Sequence, residues 1–366
     1  MKLLILSDAN SIHTQKWVLS LSGKGINVRL FSLFKPSDQI EKKYHALGVK
    51  IDSSNLNYKI LNNRKPNFSK ILYLTSLPKL KKTIKSFSPQ IIHAHYASSY
   101  GTLAYLTKFK PTILSIWGSD IYDFPKKNIL NKWILNKVIN SMNCICSTSN
   151  AMIDILKTDY NRKDVNLIPF GVNTNKFTPQ INNNKIFTVG TIKSIESHNG
   201  IDCIIDAAKI LIHDKKFKDI KFLIVGEGTL LKDMQNKCNK LKLNENIKFS
   251  GQISHDKIVE YFNKLSVFVA VSTRESFGVS ILEAASCQIP AITSNVGGLP
   301  EVNKNNYTGF IIPPNNPHLL SEKILKLYNE KNILNEMGIN ARKRVVKSFN
   351  WNTNLEKMIN LYKNYI

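Results

Sequence analysis

Apolar residues in this chain fall in short runs separated by stretches with helical spacing. Leu3–Ser7 and Val28–Ser32 read as apolar strands, and Ser11–Ser22 between them reads as a helix. Further short runs follow at Ile91–His95, Thr112–Ile116 and Cys144–Thr148, again with helical patterns between. Strands alternating with helices predict a parallel sheet covered on both faces. A punctuated stretch then interrupts the pattern: Leu167-Ile168-Pro169-Phe170-Gly171-Val172-Asn173, followed by Thr178-Pro179 and a run of Asn. Such turn-forming residues mark a boundary. Beyond it the alternation restarts, with strands at Ile186–Val189, Ile220–Val225, Ile247–Ser250, Val267–Val271, Ala291–Thr293 and Phe310–Ile312. Helices are expected from Gly200, Thr229, Ser254 and Gly278, and after Pro313-Pro314 helical segments continue, including Trp351–Tyr365. The expected organisation is an α/β domain over 1–167, a second over 168–350 and a helix over 351–366.

Length and composition agree with this division. The 366 residues suit roughly two domains, and a hydrophobic share of 43% is ample for two cores. No apolar run approaches the roughly 20 residues that span a bilayer. Leu3–Leu6 is short and leads into Ser7-Asp8-Ala9-Asn10, a strand and not a signal peptide. Five cysteines, an odd number, fit a reducing compartment. A cytoplasmic location is expected. There is no paired C-x2-C and no H-E-x2-H, so no metal site is expected. The loop Asp8-Ala9-Asn10-Ser11-Ile12 lacks G-x-G-x-x-G, which disfavours a dinucleotide oxidoreductase.

Charge adds one question. With 51 Lys and Arg against 26 Asp and Glu, the formal net charge is +25. Lys, Asn and Ile are all abundant, as an AT-rich genome would encode, so one reading is a solvated surface and nothing more. The other is attraction to an anionic surface. Two basic amphipathic stretches point to a membrane: Pro78–Phe87, with Leu80, Ile84 and Phe87 on one face, and Lys126–Ile139, which mixes Ile129, Leu130, Trp133 and Ile134 with four Lys. No recognisable nucleic-acid-binding module is present, and no nucleic-acid partner is expected.

The segment that carries chemistry is Arg274-Glu275-Ser276-Phe277-Gly278-Val279-Ser280-Ile281-Leu282-Glu283. Two carboxylates stand eight residues apart around a Phe-Gly step, between an apolar strand and an apolar-faced helix. A strand, a tight turn and a helix N-terminus bind anions through free N–H groups and the helix dipole. Carboxylates beside such a site suit hydroxyl donors. The pattern resembles the E-x7-E motif of glycosyltransferase family 4, the retaining enzymes of the GT-B architecture. Ile168–Asn173, Phe222–Gly228, Phe249-Ser250-Gly251, Gly297–Glu301 and Thr308-Gly309-Phe310 match the family in order and spacing. The first half is similar to one branch through Asp8–Thr14, His93-Ala94-His95-Tyr96 and Trp117-Gly118-Ser119-Asp120.

The resemblance implies two facing Rossmann-like domains with parallel sheets, an acceptor domain and a nucleotide-sugar domain, and a C-terminal helix that returns to the first. It implies a UDP- or GDP-linked donor and a glycan or lipid-linked acceptor, in cell-surface polysaccharide synthesis, with no cofactor and no metal. Glu283 would hold the ribose hydroxyls, Glu275 a hydroxyl of the donor sugar, and Phe277, Gly278 and Val279 would present backbone N–H groups near the diphosphate. Gly226 and Gly251 belong to the same donor site. The family usually places an Arg or Lys at the position of Thr191 and a Lys at that of His198. Here Lys193 and His198 are the candidate cations, alongside Glu275 as catalytic residues, and His198 would be the weaker, pH-dependent one, since an unperturbed imidazole has a pKa of about 6.5. On the acceptor side, His13 and His95 lie at or just after strand ends, the ligand crevice of open α/β sheets. Asp120 lies nearby, and Trp117 could stack on a sugar. The family's His in the loop after Ile116 is not carried over.

Transfer would proceed with retention through an oxocarbenium-like state. The leaving phosphate would take the acceptor's proton. Two alternatives stay open: a degenerate nucleotide-binding or interaction protein of the same fold, motivated by Thr191 and His198, and a nucleotide-sugar epimerase. A phosphorylase would need a pyridoxal-phosphate lysine, for which nothing argues. The basic helices add a peripheral position at the inner face of the cell membrane.

Overall fold

Two all-parallel sheets organise the chain. The computed structural model describes residues 1–57, 68–180, 186–254 and 256–366, and they divide into Met1–Ile168 with Leu355–Ile366 (unit 1) and Pro169–Asn354 (unit 2).

Unit 1 carries β1 (Lys2–Leu6), β2 (Asn27–Ser32), β3 (Lys50–Ser53), β4 (Ile91–His95), β5 (Thr112–Ile116), β6 (Cys144–Ser147) and β7 (Val165–Leu167). Their order is β3-β2-β1-β4-β5-β6-β7, so the winding reverses between β1 and β4. The central strands are mostly apolar because helices cover both faces. Leu4, Leu6, Ile92, Ala94, Leu114, Ile116 and Ile145 are buried in one core. The helix Ile12–Gly23 buries Thr14, Trp17, Val18 and Leu21, spaced three or four apart on one stripe.

The helix Trp351–Lys363 runs into unit 1 from Leu355 onward. Its Tyr362 hydroxyl lies 2.6 Å from His93 Nδ1 on β4, and His93 Nε2 lies 2.8 Å from Ser115 Oγ on β5. His93 is fully buried, and burial lowers its pKa to about 3. It is a neutral structural tie, not a ligand.

Unit 2 carries β8 (Thr188–Ile192), β9 (Lys221–Val225), β10 (Ile247–Phe249), β11 (Val267–Ala270), β12 (Ala291–Ser294) and β13 (Gly309–Ile312). The order is β10-β9-β8-β11-β12-β13, and here the winding reverses between β8 and β11. Val189, Phe222, Ile224, Val267, Val269, Ile292 and Phe310 lie in its core.

The expected strands are present, with β8 starting two residues later and running on to Ile192. Two short edge strands, β3 and β7, were not expected. One basic stretch is corrected. The helix Leu77–Phe87 turns its apolar face inward: Leu80 is fully buried, and Ile84 and Phe87 pack on the same core. That face offers a membrane nothing.

Candidate functional site

In unit 2 the candidate residues gather at the carboxyl ends of the strands, around the reversal between β8 and β11, where open α/β sheets bind ligands. Lys193 follows β8 directly. Glu275 lies in the turn after β11. The Lys193 ammonium pairs with Glu275 Oε2 and donates to Ser272 Oγ at 2.8 Å. Both charged side chains are largely withdrawn from water, at 10% and 20% exposure. The other carboxylate oxygen, Oε1, accepts the Ser276 N–H at 3.2 Å. The residue expected on phosphate and the residue expected on sugar therefore hold each other. Ser272, fully buried, went unrecognised in the sequence because a lone serine after a strand carries no signal.

Backbone packing fixes the loops that present this pair. Gly226 has φ +142°, and a Cβ there would stand 1.9 Å from the Lys193 carbonyl oxygen. Only glycine lets β9's loop lie against β8's. Gly200 has φ +69°, and its Cβ would fall 2.2 Å from the Val271 oxygen. The Thr273 N–H donates to the His198 carbonyl at 2.9 Å. Half-buried His198 is thus joined by its backbone to the turn that carries Glu275. A Cβ at Gly251 would meet only Glu227 Oε1, at 3.8 Å, and the Gly251 carbonyl accepts from Gly226 N–H at 2.9 Å.

The helix Val279–Ser286 starts from Gly278, whose φ is +100°. The Phe277 side chain is buried, its ring centroid 6.2 Å from that of Phe170 and 6.0 Å from that of Phe349. It anchors the turn in the core, so only its backbone is available to a ligand. Glu283 is half-buried one turn beyond Val279, on the same helix face, while Ile281, Leu282, Ala284 and Ala285 are buried. At the position where the family carries a cation, Thr191 is buried and its hydroxyl has no hydrogen-bond partner among the described residues.

In unit 1 the reversal between β1 and β4 gathers rings. The centroid of Trp117, after β5, lies 4.4 Å from that of His95, 5.8 Å from that of His13 and 5.2 Å from that of Tyr96. His95 Nδ1 lies 3.1 Å from Ser7 Oγ. His95 is fully buried, and burial first, then His93 and His13, hold its pKa well below 6.5. It is neutral at physiological pH. Tyr96, not singled out from the sequence, has φ +68°, a strained conformation for a residue with a side chain and one that clusters at functional sites. Asp120 is buried, and its carboxylate accepts the Ala97 N–H at 3.0 Å and the Gly118 N–H at 2.8 Å. It clamps two loops together. Among the described residues no group of three or more His, Cys, Asp or Glu is placed to hold a metal ion. All five cysteines are free and buried. No described helix is long and apolar enough to cross a membrane.

Comparison with known proteins places this geometry in a family. Residues 172–344 match the family described as Glycosyl transferases group 1, and residues 2–149 match Glycosyl transferase 4-like. A glycosyltransferase of Methanocaldococcus jannaschii, itself uncharacterised, is 30% identical over 351 residues, 89% of this chain and 91% of its own. The Escherichia coli UDP-Gal:alpha-D-GlcNAc-diphosphoundecaprenol alpha-1,3-galactosyltransferase is 26% identical over 318 residues, 81% of each chain. Among solved structures, the Anabaena HepE protein in complex with UDP aligns over 100% of both chains with a TM-score of 0.82 at 16% identity. A glycosyltransferase from Rickettsia africae aligns at 0.81 and 20% identity, over 100% of this chain and 98% of its own. These structural likenesses establish the GT-B fold, and the matched families with the archaeal relative establish that the chain belongs to the group 1 glycosyltransferases and is an enzyme of that class.

Proposed function

We propose that this enzyme transfers a sugar, with retention, from a UDP- or GDP-linked donor to a hydroxyl of a glycan or lipid-linked acceptor in cell-surface polysaccharide synthesis. The observation that carries the reading is the Lys193–Glu275–Ser272 cluster at the β8/β11 reversal, beside the N-terminus of the helix Val279–Ser286. It sets a cation, an oriented carboxylate and free N–H groups at one edge of one sheet. The names of relatives support the chemistry: HepE was crystallised with UDP, and the Escherichia coli enzyme is named for a UDP-sugar donor and a lipid diphosphate acceptor.

In this mechanism the donor's anomeric C–O bond to phosphate breaks, and the acceptor oxygen forms the new bond on the same face. The leaving phosphate takes the acceptor's proton. Lys193, His198 and the helix N-terminus stabilise the charge developing on the diphosphate. Glu275 accepts from a hydroxyl of the donor sugar, and Glu283 from the ribose hydroxyls. The acceptor lies on the His13, His95 and Trp117 side of unit 1. The reaction as proposed runs without a cofactor or a metal.

Calorimetric titration with a panel of UDP-, GDP- and ADP-sugars tests this, wild type beside Glu283→Ala. One nucleotide-sugar should bind, and the variant should lose at least tenfold in affinity. Equal affinity in Glu283→Ala would remove the donor site from this edge. Thr191, buried and uncharged where a cation is expected, favours the second reading, a protein that binds nucleotide without turnover. Binding without consumption of donor, acceptor present, would select it. Free sugar released without acceptor would select an epimerase.

A further inference from the structure

We propose that the outward face of the helix Ile129–Ser141 docks unit 1 on an anionic lipid bilayer. The helix buries Leu135, Val138 and Ile139 against the core. On its other side Ile129 is 89% exposed, Leu130 59% and Trp133 58%. These three large apolar side chains fall within two turns. Exposed lysines surround them: Lys126 and Lys127 just before the helix, Lys132 and Lys137 within it. The Lys137 ammonium lies 5.8 Å from the Trp133 ring centroid. From Phe124 to Asn143 the chain has no Asp or Glu.

This is the arrangement a membrane interface selects. Tryptophan settles at the boundary between headgroups and hydrocarbon. Lysines send their stems along apolar surface and their charge into the headgroups. The absence of acidic residues matches an anionic surface and repels nothing in it. A second copy of the chain is the poorer occupant, because two chains of formal net charge +25 repel. In a parallel α/β unit a helix begins at the carboxyl edge of the sheet. The apolar end of this helix therefore lies at the edge that carries Trp117 and His95. Docking would turn that edge toward the headgroups. The docking stands on its own observations, and only its use for a membrane-held acceptor rests on the proposed function.

The test is co-sedimentation with vesicles of mixed phosphatidylglycerol and phosphatidylcholine, beside vesicles of phosphatidylcholine alone. The wild type should bind the anionic vesicles, release in high salt and show a blue-shifted tryptophan emission. Ile129→Ser/Leu130→Ser/Trp133→Ser should bind about tenfold more weakly or less, as should Lys126→Gln/Lys127→Gln/Lys132→Gln. Unchanged unfolding midpoints and unchanged turnover of a water-soluble acceptor would show that both variants are intact. Wild type that stays in the supernatant overturns the docking, as do variants that sediment like wild type. A concentration-dependent dimer abolished by the first variant would assign the face to a second copy instead. Loss of turnover on a soluble acceptor in the wild type would count against the proposed function and leave the docking standing.

Discussion

Lys193 and Glu275, 82 residues apart in sequence, form one ion pair at the point where the strand order of unit 2 reverses. Each is more than three-quarters withdrawn from water, and Ser272 supplies a third polar contact. Removing one partner would leave the other charge poorly solvated. Lys193→Ala is therefore expected to destabilise unit 2 by about 1–3 kcal/mol. The double variant Lys193→Ala/Glu275→Ala should be no less stable than either single one. Urea unfolding of the four proteins checks this coupling. On the proposed function Lys193→Ala should also lower turnover at least a hundredfold, since a cation at a developing phosphate charge acts in the transition state.

Gly226→Ala should damage the site without touching any charged group. The added Cβ would stand 1.9 Å from the Lys193 carbonyl, at a φ of +142°. The backbone of one loop must shift, and Lys193 with it. A stability loss of about 2 kcal/mol or more is expected, and, on the proposed function, a clear fall in donor affinity. Gly251→Ala is the contrast. It too has positive φ, but nothing closer than 3.8 Å to its Cβ, so its loss should be smaller. Thermal unfolding with donor titration separates the two.

Acid should weaken unit 1. His93 is buried with a pKa lowered to about 3, and His95 is held well below 6.5. Unfolded, both titrate near 6.5. Their folded pKa values are depressed, so the unfolded chain binds more protons below 6.5. Stability is then full above that pH and falls as pH drops, by about 1.4 kcal/mol per pH unit for each imidazole. Chemical denaturation at pH 7.5, 6.0 and 5.0 reads the slope. His93→Gln should reduce it. Tyr362→Phe removes the partner 2.6 Å from His93 Nδ1 and should cost about 1–3 kcal/mol while keeping the slope.

Asp120→Ala should act on the Trp117 and His95 edge of unit 1 through structure. The variant leaves the Ala97 and Gly118 N–H groups, both buried, without their acceptor. A loss of about 2 kcal/mol or more is expected. Trp117, next to the clamped Gly118, should lose its fixed position, which a weakened near-UV circular-dichroism signal would report.

How far the sequence could be read depended on burial. The central strands of both sheets are covered on two faces, so they appear as apolar runs and were legible. β3 is Lys-Ile-Asp-Ser, with Lys50 exposed and the rest half-buried, and β7 is three residues at the other edge. Neither has an apolar run to show. Glu275 and Glu283 were legible as a spaced motif and Lys193 as a candidate cation after a strand, but the ion pair was not, because it joins two loops that only the strand order brings together. Tyr96 was invisible for a related reason: its distinction is a backbone angle. The basic stretches at 78–87 and 126–139 look alike as sequences. Only the fold shows that the first buries its apolar face and the second leaves Ile129, Leu130 and Trp133 outside.

Unit 1 is assembled from two distant parts of the chain. Residues 355–366 leave the ribosome after all of unit 2, yet they carry the Tyr362 hydroxyl that His93 of β4 requires. During synthesis the first sheet must wait for that partner until the second unit has emerged, with His93 held only through Ser115 on β5. A premature stop anywhere in unit 2 would therefore leave the first sheet, already made, without the segment that completes it.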